Sequence, residues 1–92
     1  MISREYKGCI HCYNTAEQNI ILDIFEMLGM IWREEQEPRG YRSAKCPMSY
    51  ALDGNGKFGQ HRYIYSSENN IQASECRNQW ISLKVKKEKA ND

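Results

Sequence analysis

Residues 8–32, GCIHCYNTAEQNIILDIFEMLGMIW, contain a strand, a capped helix and a second strand with almost no loop between them. Cys9–Tyr13 is compact and β-compatible, so it belongs to the first predicted strand. Asn14 or Thr15 is placed to cap the helix, because Thr15-Ala16-Glu17-Gln18 fits a capping box that satisfies free backbone amides. The rest of the chain is expected to add sheet to this unit.

The predicted helix runs from residue 15 to about residue 28 and has one apolar face at a spacing of 3.6 residues. Gly29 is placed to take the left-handed position that ends a helix. A helix of this kind buries its apolar face against a sheet. That face consists of Ile20, Ile21, Ile24, Phe25 and Leu28.

The remaining sequence predicts short strands joined by turns. Pro47 indicates that one strand is an edge strand or begins after the proline. Asp53-Gly54-Asn55-Gly56 predicts a tight turn between two strands. Residues 67–73 fit a short helix or a loop equally well. The strands are predicted at residues 6–13, 30–34, 45–52, 58–65 and 80–85.

These elements predict an α+β fold in which one amphipathic helix packs on a small, mainly antiparallel sheet in the order β-α-β-β-β. Residues 1–85 are expected to form a single domain. Residues 86–92, KKEKAND, are expected to form a mobile C-terminal tail because they lack apolar side chains apart from Ala90.

Size and charge narrow the classes of function. A chain of 92 residues supports one core, so a deep catalytic pocket is not expected. Its 13 Lys and Arg against 12 Asp and Glu argue against a dedicated nucleic-acid binder and against an acidic DNA mimic. Met1–Glu5 does not begin a secretory leader, and residues 20–32 are too short to span a bilayer. A cytosolic protein, without membrane contact, is therefore expected.

Cys9-x-x-Cys12 is the sharpest chemical pattern in the chain. Zinc takes four ligands, and residues 9 and 12 point to opposite faces of a regular strand. The alternatives are buried thiols, a zinc site that recruits distant ligands, or a disulfide or redox role. The other candidate ligands, all widely spaced, are His11, Cys46, His61 and Cys76.

No catalytic constellation is found. His11 and His61 have no nucleophile or orienting carboxylate at an interpretable spacing. Asp53-x-Asn55 begins like a calcium loop, but Lys57 and Ile64 stand where that loop needs oxygen ligands. The sequence therefore predicts no catalytic residues, no metal site and no cofactor, and the protein is not expected to be an enzyme.

A candidate partner surface lies on and beside the predicted loop at residues 35–44. Arginine and tyrosine are favoured in protein hot spots and in contacts to nucleic-acid backbones. Loops of this length are often functional, although a solvated loop is the simpler explanation. The predicted partner-binding residues are Arg33, Arg39, Tyr41, Arg42 and Lys45.

Aromatic residues on the predicted strands offer a second surface. Most are explained by core packing, but those that face away from the helix would form an open aromatic face. Such a face serves a protein partner, a homodimer or RNA bases. Arg62-Tyr63-Ile64-Tyr65 lacks the glycines of the RNP consensus, which argues against the RNA alternative. The set is Tyr50, Phe58, Tyr63, Tyr65 and Trp80.

The order of features over residues 6–85 resembles small proteins encoded by bacteriophages and prophages. The shared motifs are a strand ending in cysteine, Thr15-Ala16-Glu17-Gln18 opening the helix, Leu28-Gly29-Met30-Ile31-Trp32, and Tyr65-Ser66-Ser67. The resemblance implies a phage accessory protein of the counter-defence kind, such as the anti-CRISPR proteins. The loop at residues 35–44 is longer than the turn of that group.

The hypothesis that follows is a non-enzymatic phage inhibitor in the host cytoplasm that binds a CRISPR effector complex and blocks target DNA binding. The arginines would reach acidic side chains or guide-RNA phosphates. Homodimer formation is kept as a further expectation. The alternative hypothesis is a small zinc- or nucleic-acid-binding regulatory module that uses Cys9, Cys12 and one or both of Cys46 and Cys76.

Overall fold

A computed structural model describes residues 1–33 and 45–90. Over these residues the chain forms a five-stranded sheet, with two α-helices and a short 3₁₀ helix. The elements in chain order are β1 (Lys7–Cys12), α1 (Thr15–Met27), β2 (Ile31–Trp32), β3 (Met48–Asp53), β4 (Lys57–His61), β5 (Asn70–Gln72), the 3₁₀ helix (Ala73–Cys76) and α2 (Arg77–Ala90).

The strands lie in the order β2-β4-β3-β1-β5. The central pairs β1–β3 and β3–β4 are antiparallel, whereas the outer pairs β1–β5 and β2–β4 are parallel. The predicted α+β class and the β-α-β-β-β order are confirmed. The sheet is mixed rather than purely antiparallel, and a second helix joins the first.

The first helix is capped by Asn14, one of the two predicted caps. The predicted capping box at residues 15–18 is replaced by contacts of Asn14 and Glu17. The side-chain oxygen of Asn14 accepts a hydrogen bond of 2.9 Å from the backbone N–H of Glu17. The Glu17 carboxylate accepts in turn from the N–H of Tyr13, at 2.8 Å. At the other end Gly29 adopts a φ of +71°, the left-handed position that the sequence predicts.

The core lies between α1 and one face of the sheet. The Phe25 ring of α1 packs 4.2 Å from the Phe58 ring and edge-on to Tyr50, at a centroid distance of 5.5 Å. Trp32 adds a ring 4.4 Å from Phe58. The rings of Phe25, Tyr50 and Phe58 are fully buried, and so is the side chain of Ile24.

The strand predicted at residues 80–85 is wrong, because Arg77–Ala90 forms the helix α2. The alternation of apolar and polar side chains over the six residues 80–85 is also compatible with a helix. Trp80 and Leu83, three residues apart, both pack against the core cluster. The indole N–H of Trp80 donates to Asp23 of α1 at 3.0 Å, and the Lys84 ammonium lies 4.2 Å from the indole centroid.

The predicted tail starts inside this helix, because residues 86–90 belong to α2. Residues 91–92 lie outside the described part of the chain, and the mobility of residues 86–92 stays a prediction. Neither of the two described α-helices is both long and apolar enough to cross a membrane.

The strand boundaries also differ from the prediction, and two of them differ by three residues or more. The third strand begins at Met48, after Pro47, which agrees with one of the two alternatives for that proline. The strand predicted at residues 58–65 ends at His61, and β5, which the sequence did not predict, follows at Asn70–Gln72. Residues 34–44, which include the whole predicted loop at residues 35–44, lie outside the described residues.

The N-terminal segment is held against α2. Ile2 is buried, its N–H donates to the Gln79 side-chain oxygen at 2.9 Å, and the Gln79 amide donates to the Ile2 carbonyl at 2.6 Å. Gly56 donates to the Arg4 carbonyl at 2.9 Å. The N-terminus therefore ties α2 and the β3–β4 turn to the sheet.

We expect two matched isoleucine substitutions to separate the core from the outer face of α2. Ile24→Val should lower the free energy of unfolding by about 1 kcal/mol, because Ile24 is fully buried. Ile81→Val should change it by less than about 0.5 kcal/mol, because Ile81 is 45 % exposed. Urea unfolding at a constant slope measures both values. Equal losses in the two variants would contradict this packing.

The β3–β4 turn predicts a specific acid dependence. The backbone N–H of Asn55, with smaller contributions from the N–H of Lys57 and the charge of Arg33, holds the pKa of Asp53 below its ordinary value, against a smaller opposing effect of burial. The Asn55 and Lys57 N–H groups lie 2.8 and 3.2 Å from the carboxylate. The ionised carboxylate therefore stabilises the folded state above the unfolded pKa of about 3.9.

Asp53→Asn should be less stable than the unmodified protein at neutral pH, by under about 1 kcal/mol because the carboxylate is only partly shielded from solvent. That difference should shrink as the pH falls below about 4, where the carboxylate takes up a proton. Urea unfolding of both proteins across this range is the measurement. A stability difference that stays constant with pH would show that the carboxylate charge does not matter.

Candidate functional site

The sheet face opposite α1, called here the open face, is built from three rows of residues that lie side by side across the strands. The register places Cys9 beside Ala51 and Ala51 beside Gly59 in the middle row. The rows on either side are Lys7–Asp53 and His11–Ser49–His61. The middle row has only small side chains, so it forms a hollow between the outer rows.

Residues 62–69, called here the crossing segment, leave β4 and cross the open face toward β5. The Tyr65 N–H donates to the Ser49 hydroxyl at 2.9 Å, and the Tyr65 carbonyl lies 3.1 Å from His11 Nε2. Because a carbonyl can only accept, Nε2 carries the hydrogen. His11 Nδ1 then accepts from the Gln72 amide, at 3.1 Å. His11 is buried, and it fixes the crossing segment to the sheet.

The crossing segment ends close against β1. The backbone carbonyl of Asn69 accepts a hydrogen bond from the Cys9 N–H at 2.9 Å. The side-chain amide of Asn69 donates one to the Lys7 carbonyl at 3.2 Å. Gly8 allows this approach, because a Cβ at that position would overlap the Asn69 carbonyl oxygen. The segment therefore forms a wall along one side of the hollow.

A groove of about 540 Å³ lies on the open face between these features. Cys9 and Ala51 lie in its floor. Lys7 and His61 lie in the two outer rows, on opposite sides of the middle row. Arg33 forms the far side: its side chain lies over Gly59, where a Cβ would be 3.3 Å from Arg33 Nε. The volume is within the range of about 300–1,000 Å³ that is typical of ligand sites.

Three rings form an exposed aromatic cluster beside the groove: His61, Tyr63 and Tyr65. The His61 and Tyr65 rings are stacked, at a centroid distance of 4.5 Å and an angle of 19°. Tyr63 lies 5.9 Å from His61 and 6.4 Å from Tyr65. Tyr63 is 59 % exposed and Tyr65 is 43 % exposed. Large rings left in water in a group are typical of binding surfaces.

Two of the predicted partner-binding residues are among the described residues. Arg33 is exposed and lines the groove, and Lys45 is exposed ahead of β3. The other three, Arg39, Tyr41 and Arg42, lie outside the described residues. Of these two, Arg33 is the one that lines the groove.

The Cys9-x-x-Cys12 pattern does not bring its sulfurs to one side of the sheet. Cys9 pairs with Ala51 on the open face, whereas Cys12 pairs with Met48 and belongs to the core. All four cysteines are free thiols. Over residues 1–33 and 45–90, which contain every cysteine and histidine, no three His, Cys, Asp or Glu residues form a group able to hold a metal ion.

Three of the thiols lie where the protein disfavours their ionised form. Burial is the main cause that raises the pKa of Cys12 far above its ordinary value. Burial also raises the pKa of Cys46 and of Cys76. Because the thiolate is the reactive species, these positions are poor nucleophiles near neutral pH.

Only part of this site can be predicted from the sequence. Alternation correctly places Gly59 and His61 on one face, and it also assigns Tyr63 and Tyr65 to that face. It missed that the chain leaves the sheet after His61 and returns Tyr65 to stack on it. The small row Cys9–Ala51–Gly59 depends on the register of three strands, which no local pattern reveals.

Comparisons with protein families, with curated proteins and with solved structures found no match to this chain. What the protein does must therefore be inferred from its own side chains and their geometry.

The thiols provide a direct check of this geometry. Treatment of the folded protein with iodoacetamide near pH about 7.5 should modify Cys12 and Cys76 slowly, because both are buried and protonated. Cys46 is only partly buried and should react before them. In urea all four should react at similar rates, as followed by mass spectrometry of peptides. Modification of folded Cys12 as fast as in urea would contradict its place in the core.

Proposed function

We propose that this protein is a non-enzymatic inhibitor that binds a macromolecular complex of a bacterial host through the open face of its sheet. The observation that supports this most directly is the exposed aromatic cluster, His61, Tyr63 and Tyr65, beside the groove that Arg33 also lines. Tyrosine and arginine are the residues that most often supply binding energy at interfaces.

The environment of the candidate catalytic groups also favours binding over chemistry. His11 has both ring nitrogens engaged by Tyr65 and Gln72. His61 stacks on Tyr65, and burial keeps Cys12, Cys46 and Cys76 protonated. These groups hold the structure together, and a reaction would need them to be released.

In its specific form, the proposal is an anti-CRISPR protein that acts in the host cytoplasm. It would bind a CRISPR effector complex and block target DNA binding by steric exclusion. This form rests on the resemblance to phage-encoded proteins carried by residues 15–18, 28–32 and 65–67. Arg33 and Lys45 would be the described part of the contact surface.

The experiment is plasmid interference in bacteria that carry one of several DNA-targeting CRISPR systems. Expression of the unmodified protein should restore transformation by a targeted plasmid in at least one system. With the variant Arg33→Ala/Tyr63→Ala, the number of transformants should fall at least about tenfold. Both residues are of the hot-spot type and are exposed on the open face.

The matched control is Arg77→Ala/Ile81→Ala, which removes the same charge and a similarly exposed side chain from α2. It should inhibit as well as the unmodified protein. Unchanged interference in every system would overturn the anti-CRISPR form. Equal losses in the two double variants would overturn the assignment of the open face.

A further inference from the structure

The shape of the groove suits a flat ligand. Its floor comprises Cys9 and Ala51, and the third residue of the same row, Gly59, has no side chain. The pleated surface is therefore low at Ala51, while the Arg33 side chain covers Gly59 on one side and the crossing segment lies on the other. A planar ring fits such a hollow better than a branched aliphatic side chain does.

The aromatic cluster offers a place where a stack can continue. His61 and Tyr65 are already nearly parallel, and Tyr65 keeps 43 % of its surface exposed. Tyr63, at 59 % exposure, lies next to both. A further ring laid on this cluster would gain the stacking that aromatic side chains give to bases.

Charge indicates the rest of the ligand. Of the charged side chains that line the groove, Lys7 and Arg33 are cationic and Glu68 is acidic. Asp53 lies beside Lys7 across the strands and is a second acidic neighbour of these cations, and the charge of Arg33 helps to lower its pKa. The groove thus joins two cations with acidic neighbours to a stacking surface, and the chain as a whole has a formal charge of +1.

We infer that the groove binds a nucleotide of single-stranded nucleic acid, with a base stacked on the aromatic cluster and phosphates at Arg33 and Lys7. An acidic protein segment would match the cations but has no ring to extend the stack. This inference deepens the proposed function, on which it rests, because the groove would then hold the nucleic-acid part of the host complex.

The test uses a fluorescein-labelled oligouridylate of about ten nucleotides and fluorescence anisotropy. We expect a Kd of about 10–100 µM at low salt. With two phosphate contacts, the logarithm of the affinity should fall with the logarithm of salt with a slope of about −1.4. An acidic polyglutamate peptide of equal charge should compete poorly.

The variants separate stacking from charge. Tyr63→Ala and Tyr65→Leu should each weaken binding about tenfold and leave the salt slope unchanged. Arg33→Gln should reduce the slope by about 0.7, whereas Arg77→Gln, which removes the same charge from α2, should leave binding unchanged. Amide NMR spectra confirm that each variant is folded. With the unmodified protein, shifts on titration should centre on Ala51, Gly59 and Tyr65.

Three results would overturn the inference. The first is absence of binding at protein concentrations up to about 1 mM. The second is a loss of oligouridylate affinity in Arg77→Gln equal to that in Arg33→Gln, together with NMR shifts centred on the lysines of α2. The third is competition by polyglutamate as strong as by oligouridylate, which would indicate an acidic protein segment. If oligouridylate fails to bind while Arg33→Ala/Tyr63→Ala still abolishes inhibition in cells, the proposed function stands and only the nucleotide is excluded.

Discussion

The packing of the Phe25 ring against Phe58 and Tyr50 is the contact on which the rest of the structure depends. It holds α1 on one face of the sheet and brings the two antiparallel strand pairs into one core. A chain of 92 residues can build only one such core. The second face of the sheet therefore receives no helix among the described elements, and its residues are free to be small, polar or aromatic.

The second face is organised by hydrogen bonds instead. The crossing segment is attached through Tyr65 to Ser49 and His11, and through Asn69 to β1. A hydrogen bond contributes about 1 kcal/mol net, so these attachments are weaker than the burial of the core. Binding surfaces are drawn from such less stable parts of a structure, while the core supplies the rigidity. The small row and the aromatic cluster thus lie where a rigid sheet meets a lightly held segment.

Local signals in the sequence were sufficient for the first half of the fold. The cap at Asn14, the apolar face of α1, Gly29 and the turn at residues 53–56 each satisfy a requirement of the backbone within a few residues. They failed where tertiary contacts decide. Residues 80–85 alternate as in a strand, which would put Trp80 and Leu83 on opposite faces. Both instead pack against the core, and Trp80 donates a hydrogen bond to Asp23, as a helix allows. The parallel strand β5 is three residues long and depends entirely on β1.

The same limit applies to charge. A net charge near zero argues against contact with nucleic acid, but the net charge does not show where the charged residues lie in the structure. All the charges of α1 are acidic, and most of those of α2 are basic. Two acids of α1 and two lysines of α2 lie with Glu88 around one hollow between the helices: Asp23, Glu26, Lys84 and Lys87. The acids of α1 therefore lie close to part of the basic charge of α2. The cations of the open face, Lys7 and Arg33, come from distant parts of the sequence. The sheet brings them together, so a nearly neutral chain can still place two cations at one groove.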